Sequence, residues 1–337
     1  MAAAKGKQVV AATAANVFWL TDFWGGGNAV VYDDRTVIFT SPLEVDRAEK
    51  LGHEVEVVMT KTWAQVPMEI VKRLGNGKML VDNDMAFRAR KGVECNPGAF
   101  LRARSVKDEV EVSRIKRASA VQDKIFGAFE NEIRPGRSER DIASEAMKIA
   151  ISSGLTPSGS DSALSPIIIA SGPNGALPHG ELSGRKVKPG DLVVADIFFR
   201  YEGYNSDETR TFSVGTPTAE VKGRYGAVLE AQEDALDAMK QGVRCAAVNE
   251  AAVSTLRRHG VDKYLNHSIG HGVGIDIHES PAISRTSTDT LEKGHVVTDE
   301  PGVYFPGKYG IRIEDTVVIG RRPELLTHYT KELVSVG

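Results

Sequence analysis

Short apolar runs alternate with helical patterns along the first third of the chain. GNAVVYDDRTVIFTS reads as two strands joined at Asp33-Asp34, and the earlier run NVFWLTDF reads as another strand. LEVDRAEKLG fits a helix closed by Gly52, followed by the strand EVEVVMT. WAQVPMEIVKRLGNG fits a second helix stopped by its Gly-Asn-Gly end, and KMLVDND a further strand. The alternation predicts a small α/β domain over residues 1–105. From SVKDEVEVSRIKRASAVQDKIFGAFENEI the pattern becomes one long amphipathic helix, ended by Pro135-Gly136. Ser138 to Asp141 then makes a capping-box-like start for DIASEAMKIAISSG. Past residue 165 strands return, with helices over AEVKGRYGAVLEAQEDALDAMKQG and near 249–259 between them. The expectation is a second, mixed α/β (α+β) domain over residues 106–337, with no internal repeat.

Three stretches carry chemistry. DLVVADIFFRYEGYNSDETRTFSVG reads as a hairpin turning at Glu202-Gly203, which sets Asp207 opposite Phe198 and diagonal to Asp196. Diagonal neighbours on one face lie ~7–8 Å apart, within reach of converging side chains. Two carboxylates on a surface hairpin stay in water. Here VVA precedes Asp196 and Thr211-Phe212 follows Asp207, so burial around a cation competes with that reading. TDEPGVYFPGKYGIRIEDTVVIG adds Glu300 and, in what reads as the apolar strand GIRIEDTVV, Glu314. A buried acid there is costly unless paired or metal-bound. Arg312, two residues earlier, would share its face and orient its carboxylate.

The third stretch, NHSIGHGVGIDIHESP, crowds His267, His271 and His278 around glycines. Gly270, Gly272 and Gly274 are expected to let backbone approach metals and substrate closely. They are no dinucleotide fingerprint, because Ile277 stands where its third glycine would be. Asp196, Asp207, His271, Glu300 and Glu314 together offer four carboxylates and one imidazole. Two divalent cations and a bridging hydroxide would nearly balance that charge. Oxygen-rich ligation without thiolate suits Mn(II), Co(II) or Fe(II) at least as well as Zn(II).

PNGALPHG, DIFFRYEGYNSDETRTF, HSIGHGVGIDIHESP, TDEPG and GIRIED, in this order, resemble the metallopeptidases of "pita-bread" fold. That family includes prolidase (Xaa-Pro dipeptidase), aminopeptidase P and methionine aminopeptidase. The resemblance covers residue 107 to the end. It implies that Asp196 binds one metal, that Asp207 and Glu314 bridge both, and that His271 and Glu300 complete the other. It implies that His179 and His278 hold the substrate and the tetrahedral intermediate, with His267 in support near the cleft. Glu300 would also carry a proton to the leaving amine. The reaction implied is hydrolysis of an amino-terminal Xaa-Pro bond by a metal-bridging hydroxide, in a homodimer, on a short peptide with proline second.

Within the family, NSDETRTF and the separate creatinase-like N-terminal domain, whose NVFWLTDF resembles the N-x-x-Y-L-T-G-F of Xaa-Pro peptidases, favour prolidase or aminopeptidase P. The compact Glu300–Glu314 spacing resembles short prokaryotic prolidases. Ala282 stands where several prolidases have an arginine, which favours longer Xaa-Pro peptides, and Ile197-Phe198 replaces a common small residue, which narrows the pocket. Metal-free creatinase and non-catalytic pita-bread binding modules are the rival class. All five ligand types are present here, which argues against them.

Composition narrows the rest. The 337 residues carry a formal net charge of -3, no footprint for nucleic acid or an anionic membrane, and no stretch approaches a membrane span. Cys95 and Cys245, in no metal spacing, read as free thiols of the cytoplasm. Lys5 and Lys7 before VVAATAANVFWL loosely mimic a secretory signal, but the apolar stretch contains the would-be cleavage site instead of preceding it. His53, His259, His295 and His328 match no motif and are expected to be exposed or hydrogen-bonded.

Overall fold

A computed structural model describes residues 5–32, 35–52, 54–83, 86–87, 90–158 and 165–337. The expected turn at Asp33-Asp34 and His53 lie outside the described residues. The chain divides into two compact units, Met1–Arg104 and Ser105–Gly337.

The first unit begins with β1 (Gln8–Ala11), α1 (Ala14–Thr21), β2 (Asn28–Tyr32) and β3 (Arg35–Thr40). It continues through α2 (Val45–Ala48), β4 (Val55–Met59), α3 (Val66–Leu74), β5 (Met79–Val81), β6 (Val93–Cys95) and α4 (Pro97–Ser105). Its strands form one sheet in the order β4-β3-β2-β1-β5-β6. Asn16–Thr21 of NVFWLTDF is helical, not a strand. The Asp82 carboxylate gathers the start of α1, accepting from Ala12 N (2.8 Å), Thr13 N (3.0 Å), Thr13 Oγ1 (2.7 Å) and Asn16 Nδ2 (2.8 Å). Val17, Phe18 and Thr21 then bury at helical spacing, and Asp22 ends the helix at φ 56°. Contacts from 66–70 residues away override the β preference of Val-Phe-Trp.

In the second unit, α5 (Glu109–Glu132) opens on a complete capping box. Asp108 Oδ1 accepts from Val110 N and Glu111 N (2.9 Å each), while Glu111 Oε2 accepts from Asp108 N (2.8 Å). Ile115, Ala118, Val121, Ile125, Phe126 and Phe129 recur every three or four residues and are buried. Each large apolar side chain among them contributes about 1.5–3 kcal/mol of burial. Then α6 (Glu139–Ser152) starts on the box of Ser138 and Asp141. These two helices cover a sheet made by β7 (Thr156–Pro157), β8 (Ile167–Ser171), β9 (Leu192–Tyr201), β10 (Tyr204–Val214) and the chain's last strand, Ser335–Val336.

Helices α7 (Ala219–Ala238) and α8 (Cys245–Arg258) cover the other half. There β11 (Gly270–Gly272), β12 (Glu279–Ile283), β13 (Val296–Asp299), β16 (Asp315–Val318) and β17 (Glu324–Leu325) make a five-stranded sheet in the order β12-β11-β13-β16-β17. Between β13 and β16 the chain forms a separate ribbon, β14 (Gly302–Phe305) with β15 (Tyr309–Arg312). GIRIEDTVV is therefore two strands. It leaves the ribbon after Arg312 and joins the sheet at Asp315, with Glu314 bridged to Thr209 of β10 at the break. That break brings β10 and β16 together and joins the two halves. No helix among the described residues is long and apolar enough to cross a membrane.

Candidate metal centre

The hairpin turn explains the position of the first two acids. Glu202 (φ 45°) and Gly203 (φ 86°) both take the positive φ that a type I′ turn requires. The resulting register sets Asp207 opposite Phe198 and Asp196 opposite Thr209, so the two aspartates are diagonal neighbours on one face. At the β15–β16 break Glu314 N donates to Thr209 O (3.0 Å), and Thr209 Oγ1 donates back to Glu314 Oε2 (2.6 Å). Glu300 follows β13, its N–H on Ile269 O (2.8 Å) and its Oε1 accepting from Thr298 Oγ1 (3.3 Å). His271 Nε2 lies 3.4 Å from Glu300 Oε1 and 3.7 Å from Asp207 Oδ2. Its Nδ1–H donates to Gly272 O (3.1 Å), which leaves the Nε2 lone pair free.

All five residues line one cavity of about 170 Å³, together with His179, His267, His278, Phe198 and Arg312. Asp207, His271 and Glu314 each offer a ligand atom within 4.8 Å of the others. The His278 ring packs 4.2 Å from that of His271, and both His179 and His278 are exposed.

Burial, then repulsion from Asp196 and Glu300, holds Asp207 well above the usual carboxylate range. Glu314 is raised in the same way, by burial and then by Asp207, and burial pushes Glu300 up to about 7. The imidazoles move the other way. Burial lowers His271 to about 3 and His267 to about 4, with His278 and Arg312 as the next causes. Partial desolvation at the cavity wall, then His179, also lowers His278 although its residue surface is exposed. Acids crowded this closely call for positive charge between them. Asp196 Oδ1 and Asp207 Oδ1 are buried with no hydrogen-bond partner, a cost of about 1–3 kcal/mol for each such atom that a cation would remove. Four carboxylates, one imidazole and no thiolate fit divalent ions of hard to borderline character.

The sequence model of metallopeptidase family M24 matches residues 113–321. The chain belongs to that family. It is 34% identical to a Xaa-Pro dipeptidase of Pyrococcus furiosus over 337 residues, covering 97% of this chain and 95% of that one. It is 39% identical to a Xaa-Pro dipeptidase of Pyrococcus horikoshii over 232 residues, 68% of this chain and 65% of the relative, just under two thirds of its length. The crystal structure of an X-Pro aminopeptidase from Thermotoga maritima superposes with a TM-score of 0.90 at 30% identity, covering 99% of this chain and 97% of the other. The fold of this M24 chain is thus the pita-bread fold preceded by an N-terminal unit.

The partner of Arg312 needs correction. Arg312 serves Asp196 instead of Glu314: Nη2 donates to Asp196 Oδ2, Nη1 to Tyr304 OH (2.6 Å) and Pro178 O (3.2 Å), and Nε to Thr209 Oγ1 (3.0 Å). Arg312 ends β15 and reaches Glu314 through Thr209, whose Oγ1 accepts from Arg312 Nε and donates to Glu314 Oε2. The three glycines are also closely packed by neighbouring chain. A Cβ at Gly270 would lie 2.2 Å from Thr298 O, at Gly272 2.3 Å from Ser280 O, and at Gly274 2.5 Å from Glu279 Oε1.

Sequence reasoning missed Tyr304, Thr209 and Thr298. Tyr304 OH accepts from Arg312 and donates to His267 Nε2 (2.9 Å), while His267 Nδ1–H donates to Ser268 O (2.7 Å). Thr298 Oγ1 accepts from His271 N (3.0 Å) as well as serving Glu300. Their only local signal is a hydroxyl on the same strand face as a motif acid, as with Thr209 beside Asp207. Of the motif-less histidines, His259 meets Glu230 (2.6 Å), buried His295 meets Ser105 (3.3 Å), and His328 is exposed.

Proposed function

We propose that this M24 metallopeptidase hydrolyses the Xaa-Pro bond at the amino end of dipeptides and short peptides. The observation that carries the reading is the convergence of Asp196, Asp207, His271, Glu300 and Glu314 with His179 and His278 on one cavity. Two relatives described as Xaa-Pro dipeptidases supply the substrate class. At about 170 Å³ the cavity is smaller than the ~300–1,000 Å³ pockets that hold drug-sized ligands, which suits the end of a short chain.

In this reading the four carboxylates and His271 hold two divalent ions, Mn(II) or Co(II) first, with Fe(II) and Zn(II) also suited to the donor set. When bound, such a pair lowers the pKa of water and polarises a carbonyl oxygen. Asp196, Asp207, His271, Glu300 and Glu314 are the side chains that would hold these ions. Arg312 holds Asp196 Oδ2 and so fixes the direction of its other oxygen. His179 and His278 contact the substrate carbonyl and donate to it as negative charge develops. Glu300 moves a proton at its carboxyl to the leaving nitrogen of proline. Phe198 narrows the cavity beside Asp196.

The same geometry supports cleavage of longer Xaa-Pro peptides as a second reading. Ala282, exposed and uncharged, offers no cation for a dipeptide's terminal carboxylate. Both cysteines are free thiols, in keeping with a cytoplasmic enzyme, and the family resemblance suggests a homodimer. Light scattering tests the dimer. The deciding experiment compares Ala-Pro with Ala-Pro-Ala under added Mn(II) or Co(II), with a chelator control. Chelator-sensitive cleavage confined to Ala-Pro supports the dipeptidase, and preference for Ala-Pro-Ala supports the aminopeptidase. No cleavage of either by metal-loaded protein refutes both.

A further inference from the structure

Glu139 is a fully buried carboxylate at the first residue of α6, and its own helix does not use it. Ser138 and Asp141 already cap that helix reciprocally (3.2 and 3.0 Å). The Glu139 carboxylate instead gathers a loop lying 32–44 residues further on. Its Oε1 accepts from Ser171 N (2.8 Å), Ser171 Oγ (2.7 Å) and Asn174 Nδ2 (3.0 Å). Its Oε2 accepts from Ser183 Oγ (2.5 Å), Ser183 N (3.2 Å) and Asn174 Nδ2 (3.1 Å). One carboxylate thus ties the entry of the loop, at Ser171 and Asn174, to its exit at Ser183.

Between those ties lies His179, on the wall of the cavity and exposed. The residue before it is held from the other side, where Arg312 Nη1 donates to Pro178 O (3.2 Å). The loop has little room to move inward, since a Cβ at Gly175 would lie 3.0 Å from Ala170 O and one at Gly180 3.2 Å from Ala170 Cβ. Charge-assisted bonds to a buried carboxylate are stronger and shorter than neutral ones, and here they converge on a single group. A residue needed only for helix stability would be satisfied at its own helix terminus. This one is spent on the loop.

We propose that Glu139 is a positioning residue for His179, holding the 171–183 loop closed so that the imidazole stands at the substrate carbonyl. The inference rests on the Xaa-Pro peptidase reading for the role of His179, and on the structure alone for the role of Glu139. The test uses metal-loaded full-length protein with E139Q, S183A, H179A and the double variant E139Q/H179A. The amide of E139Q presents two donors where the loop also brings donors, so the tie opens while the side chain keeps its volume. S183A removes a single hydroxyl donor and serves if E139Q does not fold.

In E139Q, amide hydrogen exchange over 172–183 should accelerate, while exchange over the 192–214 hairpin and the metal content stay at wild-type levels. Turnover of Ala-Pro should fall roughly 10- to 100-fold, the scale of an ångström-level misplacement, and mainly in kcat. S183A should show the same pattern more weakly. In the H179A background, E139Q should cost less than about twofold, because both changes disable one group. Equal losses with and without His179, loss of metal in E139Q, or unchanged exchange of the loop would each overturn the proposal. An inactive wild type would overturn the peptidase reading and the role of His179 with it, while the exchange result still decides whether Glu139 holds the loop.

Discussion

Removing the ammonium of Lys107 should destabilise the second unit by about 3–5 kcal/mol, the cost of breaking a buried ion pair from one side. Lys107 Nζ contacts Glu279 Oε1, with side-chain exposures of 1% and 2%, and also donates to Ser105 O (3.2 Å). Exposure decides the magnitude. An ion pair in water contributes about 0–1 kcal/mol, whereas here both side chains are shielded from solvent. Lys107→Met keeps the length of the stem and withdraws the ammonium from the Glu279 carboxylate, and Glu279→Gln withdraws the carboxylate from the ammonium. The double variant removes both charges and should regain most of the loss, since a buried pair contributes little net stability over neutral packing. Urea unfolding followed by far-UV circular dichroism is the assay. Tryptophan emission will not serve, because Trp19, Trp24 and Trp63 all belong to Met1–Arg104. A midpoint shift at constant slope reads as stability. The reasoning fails if Lys107→Met costs less than about 1 kcal/mol, or if the double variant loses the sum of the two single losses.

Replacing Asp207 or Glu314 by Ala should abolish bound metal and turnover together, whereas His278→Ala should cut turnover and leave both metals in place, as elemental analysis beside a kinetic assay will tell. Full turnover in either acid variant refutes the bridging assignment, and metal loss in His278→Ala means ligand and helper are exchanged. Loading metal should also release protons. Burial holds Glu300 at about 7 and keeps Asp207 and Glu314 raised, so near pH 6 the metal-free protein carries protons that a bound cation must expel. Affinity for Mn(II) should therefore weaken as pH falls from about 7. Titration in weak buffer with an indicator dye checks this, and a pH-independent affinity without proton release would contradict it.

Local pattern carries a good part of the fold. The α5 capping box and its three-four spacing of Ile115, Ala118, Val121, Ile125 and Phe129 depend on residues within one or two turns. The hairpin register at Glu202-Gly203 depends only on a two-residue loop and on strand alternation, so the shared face of Asp196 and Asp207 is legible in the sequence alone. NVFWLTDF misleads because its helix is organised by Asp82, 66–70 residues away. GIRIEDTVV misleads for a similar reason. Its break at Glu314 is set by a bridge to Thr209, 105 positions earlier.

Residue type and spacing by themselves determined which groups were candidates: four acids and a histidine in apolar sequence surroundings make a donor set that a cation would satisfy if the fold buries them together. Only the tertiary structure decided who serves whom. Arg312 went to Asp196 and Tyr304, the glycines to neighbouring strands, and Glu139 to the loop of His179. The physical reason is range. Caps, turns and strand faces are settled by interactions a few residues long, whereas a hydrogen-bond partner is chosen by proximity in space, and proximity exists only after the chain has packed.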